Sequence, residues 1–127
     1  MGRPAGLPPQ ARLRRAADFA ALRHASGKLD TRYFLIRYGA GAAAEVRCGL
    51  AVSRKVSKLA VQRNRIKRIA RESFRHARTQ LPLLDILLIA RAQAVNAPND
   101  SLRGDLDRAW PRLKALKPAP APGTIAD

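Results

Sequence analysis

At 127 residues and 46% hydrophobic content, the chain has material for one domain and one core, and too little for a large catalytic apparatus plus separate binding modules. A formal net charge of +16 and a pI near 11.7 direct it towards nucleic acid or a membrane surface. The membrane is the poorer fit, because the longest apolar stretch, Leu81 to Ala90, is short and broken by Pro82 and Asp85.

Met1 to Gln10 carries Arg3 and three prolines but no apolar signal region, so it reads as a disordered arm and the chain is expected in the cytoplasm. Lys117 to Asp127, with Pro118, Pro120 and Pro122 alternating with alanine, reads as a disordered tail. The expected domain is therefore 11–116. Ala16 to His24 gives a short helix with Phe19 and Leu22 on one side, ended at Ser26-Gly27. Thr31 to Tyr38 and Val46 to Ser53 read as strands joined through Gly39 to Ala44, an antiparallel hairpin. In the second, Val46, Cys48, Leu50 and Val52 point one way, while Arg47, Gly49, Ala51 and Ser53 form a small, polar face suited to a closely approaching group. Cys48 is the sole cysteine, which excludes an intrachain disulfide and a thiolate-rich zinc site and marks a buried strand residue. His24 and His76 read as surface or boundary residues.

A basic loop, Arg54 to Lys58, leads into a helix from about Leu59 to Thr79, stopped by Pro82. Between Arg54 and Arg78 stand ten Lys or Arg and one acid, Glu72, so this segment supplies nine of the sixteen net charges. At 100° per residue, Ile66, Ile69, Ala70, Ser73, Phe74 and Ala77 share one side, and the cations occupy the rest. Like charges three or four residues apart repel, so such a helix gains from phosphate as counter-charge; Asn64 adds an amide that both donates and accepts. Leu83 to Ala90 reads as a central strand buried on both faces. After a loop at Asn96 to Asp100, a last helix presents Leu102, Leu106, Trp110 and Leu113, with Trp110 as a core anchor and Pro111 expected to kink or end it. The order helix, strand, strand, helix, strand, helix describes an α+β fold, a single-domain two-layer α/β sandwich.

The acids are scattered, and Asp105 and Asp107 do not face each other on a helix, so a helix-dipole role suits them better than a metal site. No P-loop, dinucleotide fingerprint or nucleophile triad is present; no catalytic residue and no protein metal site is expected.

Ser57, Ala60, Arg63, Asn64, Arg65, Ile66, Lys67, Arg68 and Arg71 stand at the spacing of the bacterial ribonuclease P protein subunit signature, and the chain resembles that family from about Arg12 to Trp110. Arg12-Leu13-Arg14 with Asp18-Phe19, Gly49 to Lys55, Glu72 to Arg75, and Asp85 to Arg91 extend the likeness. The resemblance implies a fold similar to a small-subunit ribosomal protein domain, with a left-handed crossover through the basic helix. It implies partnership with the catalytic RNA of ribonuclease P and removal of the 5′ leader from precursor tRNA and other small precursor RNAs. Mg²⁺ would be bound mainly by RNA and substrate, with no role for membrane or DNA. By position, it makes Arg54, Lys55, Lys58, Arg63, Asn64, Arg65, Lys67, Arg68 and Arg71 RNA-facing, and Phe19, Arg23, Tyr33 and Arg37 leader-facing. Arg23 stands where relatives often have a second aromatic, and Arg37 where tyrosine occurs, which shifts leader binding towards charge and guanidinium stacking. A ribosomal structural protein, a DNA-binding regulator and an autonomous nuclease are the competing classes. The first would associate with ribosomal subunits, the second would need a helix-turn-helix or dimer seam, and the third would cut without RNA.

Overall fold

A computed structural model describes residues 11–13, 16–23, 25, 27–41 and 45–115. The expected arm 1–10, the tail 117–127, His24 and residues 42–44 of the expected connection lie outside the described residues. The elements in chain order are α1 (Ala16–Arg23), β1 (Gly27–Asp30), β2 (Phe34–Ala40), β3 (Arg47–Ala51), α2 (Ala60–Ala77), β4 (Leu84–Ala90) and α3 (Asn99–Ala115), with 3-10 turns at Arg78–Gln80 and Ala92–Asn96.

The sheet runs β1-β2-β4-β3, which corrects the expected hairpin. β2 and β3 are not neighbours. β4 lies between them, antiparallel to β2 from Phe34↔Ala90 to Ala40↔Leu84 and parallel to β3 from Arg47↔Asp85 to Ala51↔Ile89. The physical reason lies in β4, whose residues are buried along nearly its whole length and which hides most backbone and side chain when flanked on both edges. β2 finds its second partner locally in β1, a strand the sequence pattern does not announce, with Gly27↔Tyr38 and Asp30↔Leu35 at its ends. Parallel β3 and β4 require a long crossover, and α2 provides it.

One face of the sheet, with Phe34, Ile36, Tyr38, Cys48, Leu84, Ile86 and Leu88, packs on Ile66, Ile69, Ala70 and Phe74 of α2 and Leu102, Leu106, Trp110 and Leu113 of α3. The opposite face carries α1, where Leu22 and Leu13 meet Leu87. Trp110 meets Phe74 edge-on at 5.9 Å, and its indole N–H donates to Ser73 Oγ at 2.8 Å, which donates in turn to Asp107 at 2.6 Å.

The last helix departs from expectation twice. α3 continues through Pro111 to Ala115, because Leu113 beyond the proline is fully buried and holds the final turn to the core. Asp105 is not a dipole partner. It is buried in mid-helix and accepts from Thr31 Oγ1 at 2.7 Å, Tyr33 N at 2.9 Å and Arg32 N at 3.2 Å, clamping the β1–β2 turn to α3. Asp105→Ala leaves the buried Tyr33 amide without an acceptor and should lower unfolding free energy by about 2 to 4 kcal/mol. Urea denaturation followed by Trp110 fluorescence reads it; a loss of a few tenths of a kcal/mol would contradict the clamp.

Candidate nucleic-acid interface

Burial of one α2 face settles where its other residues go. With Ile66, Ile69, Ala70, Ser73 and Phe74 inside, Val61, Asn64, Arg68 and Arg71 form an exposed stripe at helical spacing, and Lys67 is half-buried beside it. Upstream, Val56 is buried and anchors the loop by its amide bond to Ser53 O at 3.0 Å, so Arg54, Lys55 and Lys58 stand exposed around a fixed turn. The helix opens without a side-chain cap or an acid in its first turn. Loop and stripe thus place Arg54, Lys55, Lys58, Asn64, Lys67, Arg68 and Arg71 on the outward side of one rigid element.

Two expected members of this set have inward work. Arg65 Nη1 donates to Ala97 O at 3.1 Å and Asn99 Oδ1 at 2.7 Å, and Nη2 to Val95 O at 3.0 Å. It ties α2 to the start of α3 rather than joining the open stripe. Arg63 Nη1 donates to Ser57 O at 2.9 Å and stiffens the loop entry.

On the other side of the sheet, the Phe19 ring lies against Gly49. A Cβ built on Gly49 would come within 2.8 Å of Phe19 Cε1 and Cζ, so the small face of β3 accommodates an aromatic of the same chain. Phe19 remains half-buried, Arg23 is exposed in the last turn of α1, and Arg37 on β2 is half-buried with Nη1 donating to Ala25 O at 3.1 Å. Tyr33 does not join them. It is 8% exposed and packs in the main core with Phe34 and Tyr38, on the far face, where no base can stack on it.

Strand parity also exposes what residue-by-residue reasoning missed. Lys28 pairs with Arg37 across β1 and β2 and is exposed on the same face, and Ala51 and Ile89 pack beside Phe19 as a half-buried apolar floor. Arg47 and Asp85 were likewise unassigned, although an aspartate inside an apolar strand signals a cationic partner. Arg47 Nε and Nη2 donate to the two Asp85 oxygens at 2.9 and 2.7 Å, and Nη1 lies 3.5 Å from Asp18 Oδ2.

The charge states follow from these contacts. The hydrogen bond to Asp85 raises the Arg47 pKa against the cost of burial. Burial pushes the Cys48 thiol well above its ordinary value, so it stays protonated as a packing residue. The hydrogen bond from Arg75 holds Glu72 below the usual carboxylate range, with His76 Nε2 3.0 Å from the same oxygen. Among the described residues no group of three or more His, Cys, Asp or Glu could hold a metal ion, and no helix is long and apolar enough to cross a membrane.

Fold and site together define a small, strongly basic α+β protein whose open helix face suits a polyanion. The family model described as Ribonuclease P matches residues 7–114. The chain is 41% identical over 115 residues to the ribonuclease P protein component of Marinomonas sp., covering 88% of this chain and 87% of that protein. It is 38% identical over 122 residues to the one from Pseudomonas paraeruginosa, covering 91% and 90%. Among solved structures it is similar to the Staphylococcus aureus RNase P protein, with TM-score 0.74, 26% identity and coverage of 83% and 95%, and to that of Thermotoga maritima, with TM-score 0.72, 28% identity and coverage of 84% and 100%. The chain belongs to the ribonuclease P protein family, as a subunit of that ribonucleoprotein endoribonuclease and a partner of its RNA.

The divided roles of the basic residues are separable by experiment. Arg65→Gln should lower unfolding free energy by about 1 to 3 kcal/mol, because three acceptors lose a charged donor, whereas Arg68→Gln should stay within about 0.5 kcal/mol. Equal urea midpoints for the two variants would place Arg65 with the surface residues.

Proposed function

We propose that the chain uses both sides of its sheet at once: the α2 stripe and the 54–58 loop bind the catalytic RNA near its cleavage site, and the side beneath α1 receives the single-stranded 5′ leader of precursor tRNA. The observation that carries the first half is the stripe Asn64, Arg68 and Arg71, exposed beside Lys67 on a helix whose opposite face is fully packed. Such a surface binds phosphate without reading bases, and its affinity falls steeply with salt.

Supporting the second half are Phe19 over an apolar floor and the cations Lys28, Arg23 and Arg37, which pair a stacking surface with backbone neutralisation as single-strand binders do. Among the described residues, most carboxylates are engaged in structure, including Asp18 and Asp85 with Arg47, Glu72 with Arg75, Asp105 with the β1–β2 turn and Asp107 with Ser73. Mg²⁺ is held mainly by the RNA and its substrate, where it supplies the metal-ion chemistry of hydrolysis. The polypeptide contributes position and positive charge, widening the range of precursor RNAs that the RNA can process. The reaction belongs in the cytoplasm, where precursor tRNA is made.

Single-turnover cleavage of 5′-labelled precursor tRNA at low Mg²⁺ tests this reading, with protein alone, catalytic RNA alone and both together. Cleavage at the mature 5′ end should appear or accelerate only in the combination; an unchanged RNA-alone rate would remove the proposal. Neutralising Lys67, Arg68 and Arg71 together should weaken binding to the catalytic RNA and flatten its salt dependence by about 0.7 to 0.9 per lost phosphate contact, and an unaltered slope would move the interface elsewhere. Phe19→Ala should raise KM for long-leader substrates and leave affinity for mature tRNA as it was; equal losses for both would make Phe19 a core residue only.

A further inference from the structure

Among the described residues, α1 is lightly secured on the sheet. It spans 8 residues with Leu22 as its one buried side chain, shorter than the roughly 12 to 15 residues at which isolated helices become even marginal. Its place is therefore set by what grips it: Leu22 packs on Leu87 of β4, and β3 adds two holds at alternate positions of one strand face. Gly49 receives the Phe19 ring, and Arg47 reaches the carboxylate of Asp18, the residue next to it. Arg47 is itself fixed by its two-pronged pair with Asp85 of β4. The side chains of Arg47, Asp85 and Asp18 are 16%, 11% and 26% exposed, so the network is partly shielded from water.

These groups are poorly placed to bind phosphate themselves. All three guanidinium nitrogens of Arg47 face carboxylate oxygen. Two carboxylates around one guanidinium leave a local charge of −1 in a chain of net charge +16, the wrong sign for attracting a nucleic-acid backbone. What the network does fix is the height and register of the α1 turn that carries Phe19.

We propose that Asp18, Arg47 and Asp85 form a positioning relay for leader recognition, in which the ion pair on the sheet sets where Phe19 stands and acts on the leader through it. This rests on the leader reading above. Arg47 and Asp18 are positioning residues rather than contact residues, and the conservative change Arg47→Lys is not neutral. A lysine keeps the charge opposite Asp85 and cannot hold two carboxylates on a planar fork.

The test uses reconstituted holoenzyme and two precursor tRNAs, one with a long leader and one with a single-nucleotide leader. Asp18→Asn and Arg47→Lys should each raise KM for the long-leader substrate by about 3-fold over the short-leader substrate, the size of a partly shielded ion pair, while kcat and binding to the catalytic RNA hold. The double variant should be no worse than either single one, since both remove the same link, and Asp18→Glu should recover the wild-type KM. Multiplying effects, equal losses on both substrates or failure of Asp18→Glu to recover would overturn the relay. Phe19→Ala, run alongside, separates the two claims. If it abolishes the leader preference while Asp18→Asn and Arg47→Lys leave it intact, the relay alone is wrong; if leader preference survives Phe19→Ala as well, the leader reading falls and takes the relay with it.

Discussion

Burial of a single apolar stripe on α2 is the constraint on which the remainder of the molecule depends. Arg63, Arg65, Lys67, Arg68 and Arg71 place like charges three and four residues apart, each such pair costing about 0.2 to 0.5 kcal/mol in an isolated helix, and no acid relieves the first turn. Against this, Ile66, Ile69 and Phe74 are at most 4% exposed, and burying each contributes about 1.5 to 3 kcal/mol. Packing exceeds repulsion several-fold. The helix is therefore held by its inner face, and the cations on its outer face are where they are because the core requires the other side.

Pairing of the acids sharpens that arrangement. Asp30 joins Arg91, Glu45 joins Arg78, Glu72 joins Arg75, and Asp18 and Asp85 share Arg47. Three of those arginines, Arg47, Arg78 and Arg91, lie outside α2, and the fourth, Arg75, continues the stripe one turn beyond Arg71, so compensation of charge reaches only the C-terminal end of the helix. Asn64, Arg68 and Arg71 are left facing solvent with no acid beside them in the ion-pair network of the described residues. The positive character of that face comes from this segregation as much as from the total of +16.

Legibility from sequence divides along the same physical lines. The buried side of α2, the doubly buried β4, the inward parity of Cys48 and the anchoring role of Trp110 were all readable, because each is a local periodicity or a residue type with one comfortable environment. Strand neighbours were not, since pairing of β4 with both β2 and β3 is a long-range choice that the chain order does not express. β1 was missed because Gly-Lys-Leu-Asp has little strand preference and forms by pairing with β2; its glycine fits a position where a Cβ would lie 2.3 Å from Tyr38 O. Tyr33 was misplaced for a related reason. It precedes β2 in the turn clamped by Asp105, and a contact 72 residues away in sequence fixes the backbone around its ring. Arg65 shows the limit of reading roles from a charge run, as its three acceptors belong to a turn some thirty residues downstream.

The two faces of the sheet are held with unequal strength, and that inequality is consistent with the two nucleic-acid roles proposed for them. Displacing α2 would expose Phe74, Ile66 and Ile69 together and leave the Arg65 acceptors unpaired, a change approaching global unfolding. Among the described residues, displacing α1 costs one buried leucine, one ring contact and one ion pair, in a satellite cluster whose buried members are Leu13, Leu22 and Leu87. A folded RNA of fixed shape is best met by a surface that does not yield. On the proposed reading, a single-stranded leader of varying sequence would be met by a short helix held lightly over a rigid sheet, with the Arg47 pair to Asp18 as one of its few holds.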